Sequence, residues 1–397
     1  MFSLKSKLDT SLRYYMSKEY FKKYRVIIKY KSFSDTILKR ISSFKGTIIN
    51  KIDWLNLITA EVSPRAIDRL IEYPEVEYVS LDGYCLLCGT SVASANNVNL
   101  GGRYKFTGRG IGIGIVDTGV FPHPDLLSPM NKIRLFVDLI NDFKYPYDDN
   151  GHGTFISGIL CGSGGNSDGL YKGIADKANL YCYKAFNGTG KGYVSDILFA
   201  INSLISSSED ENIRLILLPF ELANDNIFYL QQFDKLLGLA ISKNLIPIVP
   251  SGSNPSKEYS IRGLATLSNC LTIGGLDTSK TIKPYSYSSA GPVGKLQKPE
   301  VSAGCVNIQS LNCDKNYISE RNGLKIYPSK LTEPYATYSG TSCSAAYVCG
   351  VCALLLEKNP LLTFNDIRSL LQISADSHEL PRYAEGDGTL NLDKLLT

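Results

Sequence analysis

Short apolar segments that alternate with helical segments constrain the fold of this 397-residue chain more than any other feature. The apolar segments read IGIGIVDTG (111–119), ANLYCYKAF (178–186), IRLILLPF (213–220), LIPIVPSG (245–252) and CLTIGG (270–275). The helical segments between them read HGTFISGIL (152–160), YVSDILFAINSLIS (193–206) and FDKLLGLAISKN (233–244). Strands without polar alternation are buried on both faces, as in a parallel sheet that helices cover on each side. We therefore predict an α/β fold with a doubly wound parallel sheet.

The N-terminal part of the chain has a different pattern, which predicts a separate small α+β domain. Residues 24–82 contain the strand-like segments YRVIIKYK, GTIINKI, LNLITAEV and EYVSL. Two helical segments accompany them, SDTILKRISSF, where Ser34 is expected to cap the helix, and SPRAIDRLIEYPEV. The β-α-β-β-α-β order is that of the ferredoxin-like arrangement. A stretch rich in Gly, Ser, Asn and Thr follows at 83–109 and indicates a linker, so we divide the chain into domains 1–90 and 91–397.

Composition bears on the partners and the location of the protein. Apolar residues make up 44% of the chain and charged residues 20%, which is typical of a globular protein with a sizeable core. The net charge is +4 without a block of like charges, so we expect no nucleic-acid partner. No apolar run is long enough for a membrane span, and the N-terminus lacks a signal-peptide pattern. Ten cysteines in such a chain predict a reducing compartment, and we expect a cytoplasmic protein.

Two cysteine pairs have CxxC spacing, Cys85/Cys88 and Cys349/Cys352. Four thiolates with this spacing are one way to hold zinc, and a single pair can be a redox site. Cys349 and Cys352 lie in an apolar helical run, however, where cysteine behaves as a small hydrophobic residue. We therefore expect no metal and no cofactor, and a redox role for Cys85 and Cys88 is the minor alternative.

Three polar residues in separate segments are the candidates for catalysis. Asp117 closes an apolar strand in GIVDTG, His152 lies between glycines in NGHGT, and Ser342 opens a small-residue helical run in YSGTSCSA. Sites in parallel sheets gather at the carboxyl ends of strands, where Asp117 is expected. A serine becomes a nucleophile when an imidazole takes its proton, and a carboxylate fixes the tautomer of that imidazole. The alternative is that Thr341 or Ser342 is only the N-cap of a helix.

The chain contains three histidines, which limits the choice of a general base. His123 lies in a proline-rich turn, and His378 lies in a polar segment near the C-terminus. Neither is flanked by glycines at the start of a helical segment, as His152 is. His152 is therefore the candidate base.

These motifs resemble those of the subtilisin-like serine proteases, or subtilases, in particular their intracellular bacterial members. IVDTGV followed by HPDL, NGHGT and YSGTSCSA are similar to the three triad motifs of the family, in the chain order Asp, His, Ser that subtilisin uses. The resemblance implies that Asp117, His152 and Ser342 form a catalytic triad. It implies a serine endopeptidase that hydrolyses peptide or protein substrates through an acyl-enzyme intermediate.

The resemblance covers nearly the whole chain. Residues 24–82 are similar to the family's propeptide, an intramolecular chaperone and inhibitor, which implies that the protein's own propeptide is a partner and that the junction is autoprocessed. The segment GTGKGY is similar to the strand edge that pairs with substrate, and its glycines are Gly188, Gly190 and Gly192. Asp125 matches a calcium ligand of some members but suits a turn-capping acid equally, and we expect no obligatory metal.

The oxyanion hole departs from the family pattern. In VPSGSNPSK an ungapped alignment places Ser253 where the family has asparagine, and Asn254 is the next residue. We expect the Ser342 N–H to be one donor, and we prefer Asn254 over Ser253 as the other because a carboxamide reaches farther than a hydroxyl. In LLPFE (217–221), Pro219 lacks an N–H, and Phe220 and Glu221 replace small residues near the family's substrate pocket. A subtilase-fold protein that acts by binding, as in germination, therefore stays open as the alternative.

Overall fold

The computed structural model describes residues 4–53, 56–82, 90–96, 98, 105–222 and 226–396. The chain divides into two units, Met1–Cys88 and Gly89–Thr397. Each unit has its own hydrophobic core. Cys85, Cys88 and most of the predicted linker lie outside the described residues, and so does the redox alternative for this cysteine pair.

The N-terminal unit is an antiparallel sheet accompanied by helices. Its strands are β1 (Tyr24–Tyr30), β2 (Thr47–Ile52), β3 (Leu57–Val62) and β4 (Val76–Leu81). Its helices are α1 (Thr10–Ser17), α2 (Ser34–Ser43) and α3 (Pro64–Leu70), after a 3₁₀ turn at Leu4–Lys7. The strand order is β2-β3-β1-β4, and every neighbouring pair is antiparallel. From β1 to β4 the element order is the predicted one, whereas α1 was not predicted.

Alternating burial explains how the N-terminal unit forms a core. Strand β1 buries every second residue, and Ile37 and Ile41 of α2 lie four residues apart on one face of that helix. Ser63 caps α3, because its hydroxyl accepts a hydrogen bond from the Ala66 N–H at 3.3 Å. The prediction that Ser34 caps α2 is wrong, because Ser34 is already in the helix and Phe33 precedes it with a φ of 57°.

The second unit contains a large mixed sheet and several short ladders. Its strands are β5 (Thr90–Ser91), β6 (Gly112–Asp117), β7 (Ile133–Asp138), β8 (Asn179–Lys184), β9 (Ile213–Leu217), β10 (Ile246–Pro250), β11 (Leu271–Asp277), β12 (Lys283–Pro284), β13 (Val301–Gly304), β14 (Ile308–Leu311), β15 (Glu320–Arg321), β16 (Leu324–Lys325), β17 (Tyr335–Tyr338), β18 (Ala375–Asp376) and β19 (Thr389–Leu390). Its helices are α4 (Val92–Ala95), α5 (Pro124–Leu127), α6 (His152–Cys161), α7 (Val194–Ser206), α8 (Ile227–Ser242), α9 (Thr341–Lys358), α10 (Phe364–Ser374), α11 (Arg382–Glu385) and α12 (Leu392–Leu396), with 3₁₀ turns at Gly165–Ser167 and Gly263–Thr266.

The sheet order explains where a site is expected. The order is β18-β19-β13-β11-β10-β9-β6-β8-β7, and all neighbours from β7 through β19 are parallel. Two short strands, β18 and β12, are antiparallel additions. Strand β6 lies between β8 and β9, so the chain winds away from it in both directions. The predicted doubly wound α/β fold is confirmed, and the carboxyl end of β6 is a topological switch point.

Helices cover both faces of this sheet. Within β6, Ile113 and Ile115 belong to one core and Val116 to the other, as the two-residue period of a strand requires. Helices α6 and α9 contribute to the first core, and α7 and α8 to the second. All six residues of β6 are buried, so the absence of polar residues before Asp117 follows from burial on both sides.

The eight cysteines among the described residues are free and buried. Cys349 and Cys352 lie in α9 within the first core, where they pack as apolar side chains. In the part of the chain that the structure describes, no helix is both long and apolar enough to cross a membrane. The reducing, cytoplasmic location stays a prediction.

Candidate active site

Strand β6 delivers Asp117 to the switch point of the sheet. The Asp117 side chain is 3% exposed, and its Oδ1 accepts a hydrogen bond from the Thr118 N–H at 2.6 Å. The imidazole of His152 lies against this carboxylate, with Nδ1 at 2.8 Å from Oδ1 and 2.9 Å from Oδ2. An Nδ1–H that donates to the carboxylate leaves Nε2 as the nitrogen that can take a proton.

The two glycines of NGHGT are required by the geometry around His152. Gly151 precedes α6 with a φ of 103°, which favours glycine. A Cβ on Gly153 would lie 2.1 Å from the carbonyl oxygen of Gly119, so only glycine lets the first turn of α6 approach the loop after β6. This close approach brings His152 to Asp117.

A buried carboxylate holds the loop that carries His152. Asp148 accepts hydrogen bonds from the hydroxyls of Thr118 (2.9 Å) and Thr154 (2.6 Å) and from the Gly151 N–H (2.8 Å). Burial lowers the pKa of His152, but the charge of Asp117, its hydrogen bond and the charge of Asp148 outweigh that effect. The pKa of His152 is therefore raised above the ordinary histidine value.

Helix α9 begins at Thr341, after Gly340, and no side chain caps it. The Thr341 hydroxyl donates to the carbonyl oxygen of Gly252 at 3.1 Å, and the Ser342 hydroxyl donates to that of Pro219 at 3.0 Å. The alternative that Thr341 or Ser342 is only an N-cap is therefore wrong. The Ser342 side chain instead faces residues at the carboxyl ends of the sheet.

Ser342 and His152 both line a cleft of about 470 Å³. Its other walls include Pro219, Phe220, Glu221, Ser253 and the rings of Tyr285, Tyr287 and Tyr338. The Tyr338 ring meets the His152 ring edge-on with 5.9 Å between centroids. A smaller cleft of about 210 Å³ shares His152, Pro219 and Phe220 with the first and adds Asp117. The three candidate residues of the triad thus lie at one site.

The two candidates for the second oxyanion donor are placed differently. Asn254 donates its side-chain N–H to the carbonyl oxygen of Ser260 at 3.0 Å and does not line the cleft. Ser253 lines the cleft, but its hydroxyl and its N–H both donate to the carboxylate of Glu221. The structure therefore does not support the preference for Asn254, because that carboxamide is held by another partner.

The segment with the predicted substrate-binding glycines is a turn. The Asn187 N–H donates to the Lys191 carbonyl at 3.0 Å, and Gly190 adopts a φ of 76°. Gly190 lines the smaller cleft and, with Gly192, a further cleft of about 700 Å³. Gly188 accepts a hydrogen bond at its carbonyl oxygen from Asn150, at 3.1 Å. Gly190 and Gly192 are thus beside clefts that adjoin the site, and Gly188 tethers the turn to the loop of His152.

Asp148 and Lys184 also contribute to the site, although neither was predicted from the sequence. Lys184 is buried at the end of β8, next to Asp117 in register, and donates to Asp149 and the Thr118 carbonyl, both at 2.6 Å. It thereby ties the loop after β6 to the loop before α6. The signals were a single lysine at the end of an apolar strand and two acids directly before NGHGT.

The remaining histidines and Asp125 have other contacts. His123 accepts a hydrogen bond from the Asp125 N–H at 3.1 Å, and His378 Nε2 lies 2.7 Å from the Thr389 hydroxyl. The Asp125 carboxylate accepts a hydrogen bond from the Tyr335 hydroxyl at 2.6 Å. Among the described residues no group of three or more His, Cys, Asp or Glu side chains could hold a metal ion.

This chain is similar to known proteins over a region that includes the site. A family model described as the subtilase family matches residues 108–391. The chain is 32% identical over 348 residues to "Serine protease AprX" of Bacillus subtilis (strain 168), covering 84% of this chain and 77% of the relative. It is 25% identical over 342 residues to "M-protease" of Shouchella clausii (strain KSM-K16), covering 85% and 79%.

Two solved structures share the fold. "Sphericase" aligns with a TM-score of 0.62 at 23% identity, covering 78% of this chain and 100% of that chain. "S41 Psychrophilic Protease" aligns with a TM-score of 0.63 at 24% identity, covering 77% and 100%.

Proposed function

The chain belongs to the subtilase family of serine proteases, and we propose that it is an endopeptidase that works through Ser342, His152 and Asp117. The observation that carries the proposal is that His152, paired with Asp117 at 2.8 Å, lines the same cleft as Ser342. Nucleophile, base and orienting carboxylate are the three groups that acyl transfer by serine requires.

The reaction proceeds in two halves. Ser342 Oγ attacks the scissile carbonyl carbon, and its proton passes to His152 Nε2 while Asp117 stabilises the imidazolium. Collapse of the tetrahedral intermediate breaks the C–N bond, and the imidazolium gives its proton to the leaving amine. Water then hydrolyses the acyl-enzyme with His152 again as base. Before this, Ser342 exchanges its hydrogen bond to Pro219 for one to His152, since catalytic hydrogen bonds often form only with substrate bound.

The oxyanion hole combines a backbone donor with a hydroxyl. The Ser342 N–H lies in the first turn of α9, where a helix supplies no acceptor of its own. Ser253 is the proposed second donor, because it lines the cleft and Asn254 does not. Loss of one such donor in subtilisin costs about 3–4 kcal/mol, so replacing Ser253 with alanine is expected to lower kcat on the order of 100-fold.

A serine-directed fluorophosphonate tests the proposed nucleophile. The parent is expected to be labelled on Ser342, and Ser342→Ala is expected to lose both the label and peptidase activity while keeping its fold. Ser339→Ala is the matched control, because Ser339 lines the same cleft while its oxygen accepts a hydrogen bond from the Asn307 N–H. Equal cleavage by the parent and Ser342→Ala would overturn the proposal.

The N-terminal unit is the proposed propeptide, corresponding to residues 1 to about 90. Its ferredoxin-like sheet is a preformed element that can template a parallel sheet, which folds slowly because its contacts are non-local. Autoprocessing is expected within YCLLCGTSVASANN (84–97), of which only 90–96 are described residues. N-terminal sequencing is expected to find a fragment that starts between about 84 and 100 in the parent and not in Ser342→Ala.

One observation favours a second candidate function, a subtilase-fold protein that acts by binding. The Ser253 hydroxyl, which the proposed oxyanion hole needs, is already bonded to Glu221. If this bond persists with substrate present, the cleft would bind peptides with little turnover. An intact chain in both parent and Ser342→Ala, together with no labelling, would favour this alternative.

A further inference from the structure

A carboxylate stands in the cleft beside the proposed nucleophile. Glu221 is exposed, follows the end of β9, and lines both the 470 Å³ cleft of Ser342 and the adjoining cleft of about 700 Å³. Its Oε2 accepts the Ser253 N–H at 3.1 Å, and its Oε1 accepts the Ser253 hydroxyl. A Cβ on Gly252 would lie 2.9 Å from Oε2, so the carboxylate lies close against this backbone.

The donors that hold this carboxylate are neutral. Among the described residues, Glu221 accepts its two hydrogen bonds from Ser253, and the other ionisable side chains that line the Ser342 cleft are His152 and tyrosines. Lys191 lines only the adjoining cleft. The negative charge of Glu221 is therefore available to a positively charged group of a bound substrate.

The cleft that Glu221 lines also has aromatic walls, which suit a flat cation. Tyr285 and Tyr287 stand edge to face with 6.0 Å between ring centroids, and Phe220 and Tyr338 line the same cleft. Aromatic faces attract guanidinium groups, and a carboxylate can accept two parallel N–H bonds from arginine. Lysine fits this combination less well, because its ammonium is a point charge without a plane.

We propose that Glu221 is a specificity-determining residue that selects substrates with arginine at the residue whose carbonyl Ser342 attacks. The inference rests on the proposed function, since it names the substrate class of that site. The Glu221 carboxylate is bonded to Ser253, the proposed second oxyanion donor. Glu221 is therefore expected to lie next to the substrate residue whose carbonyl oxygen enters the oxyanion hole.

The contact between Glu221 and Ser253 couples specificity to rate. A guanidinium that binds Glu221 replaces the Ser253 hydroxyl as hydrogen-bond donor to the carboxylate. The released hydroxyl can then donate to the developing oxyanion. It also neutralises a negative charge that would oppose the oxyanion. A neutral substrate leaves Ser253 bonded to Glu221. Because this gain appears in the transition state, arginine is expected to raise kcat as well as affinity.

Matched peptides that differ only in arginine or citrulline at the cleaved residue test the charge, because citrulline keeps the shape of arginine without its charge. The parent is expected to prefer arginine on the order of 10-fold or more in kcat/KM, and Glu221→Gln is expected to bring the ratio close to one. Glu221→Asp is expected to keep part of the preference. Glu209→Gln removes an exposed carboxylate outside these clefts and is expected to leave the ratio unchanged.

The coupling has its own test. Ser253→Ala is expected to slow the arginine peptide more than the citrulline peptide, and its effect is expected to be smaller when Glu221→Gln is also present. Equal slowing of both peptides by Ser253→Ala would overturn the coupling.

A binding measurement separates this inference from the proposed function. Peptides that end in arginine or citrulline are titrated into Ser342→Ala, with and without Glu221→Gln, and affinity is measured by calorimetry. A preference for arginine that requires Glu221 supports the inference even if the parent shows no peptidase activity. Turnover that depends on Ser342 but is equal for both peptides overturns the inference and leaves the proposed function standing. Equal affinity for both peptides in the inactive variant also overturns it.

Discussion

At the scale of single residues, the pairing of Asp117 with His152 governs how the site responds to pH. A general base must be neutral, so activity is lost as the pH falls through the pKa of His152. The pKa of His152 is raised by Asp117 and Asp148 despite burial. The acid limb of kcat/KM is therefore expected above the usual histidine value of about 6.5. A pH profile with a midpoint below that value would contradict this assignment.

Replacing Asp117 with asparagine is expected to change both rate and pH dependence. The rate is expected to fall on the order of 10⁴-fold, because a neutral amide no longer holds the productive tautomer of His152. The acid limb is expected to move to lower pH, because without the charge of Asp117 the lowering of the His152 pKa by burial is opposed by the charge of Asp148 and no longer by that of Asp117. A pH–rate profile checks both. A loss of rate with an unmoved limb would mean that Asp117 does not face the titrating base.

Some residues of the site were predictable from the sequence, and others were not. Asp117, His152 and Ser342 were identifiable because the glycines and small residues beside them reflect local constraints, such as the Gly153–Gly119 approach. The contact between Ser253 and Glu221 spans 32 positions and has no local pattern. The length of the Asn254 side chain did not predict its role, because length does not determine where a side chain points. The Asn254 carboxamide donates to the Ser260 carbonyl oxygen instead.

At the scale of elements, the start of α6 has no room for a side chain larger than that of glycine at position 153. Gly153→Ala would place a Cβ 2.1 Å from the Gly119 carbonyl oxygen, so α6 must move away from the end of β6. Because a displacement of about 1 Å can cost a catalytic site on the order of 100-fold, a loss of at least that size is expected in kcat. Gly165→Ala is the matched control, since the nearest atom to a Cβ there is 3.4 Å away. Equal activity of the two variants would contradict this account.

Strands and helices with strong apolar patterns were predictable from the sequence. Those whose existence or bounds depend on pairing or capping by other residues were not. Strands β6 and β8 to β11 were visible as mainly apolar segments that are largely buried. Strand β13 has only four residues, Val301–Gly304, and is defined by its pairing with β11. Helix α8 starts at Ile227, before the predicted start, because Asn226 caps it by accepting from the Phe228 N–H at 2.9 Å.

At the scale of the whole molecule, the two units have separate hydrophobic cores and can therefore differ in how fast they fold. The N-terminal unit has an antiparallel sheet, whereas the second unit must assemble distant parallel strands. Processed protein that lacks the N-terminal unit is therefore expected to refold from denaturant more slowly than the full-length Ser342→Ala chain. Stopped-flow refolding followed by return of the native spectrum measures this. Equal rates would argue against a templating role for residues 1 to about 90.

The buried cysteines allow the local opening of the native structure to be measured. Burial raises the pKa of Cys161 to about 12 and that of Cys270 to about 11, so each is protonated as well as enclosed at neutral pH. Alkylating reagents are attacked by thiolates and not by thiols, so these side chains become reactive only when the surrounding structure opens. Pulsed alkylation followed by peptide mass spectrometry would thus report opening separately at α6, which carries Cys161, and at the turn before β11, which carries Cys270. The alkylation rate of each cysteine therefore reports how long its own region of the native protein stays closed.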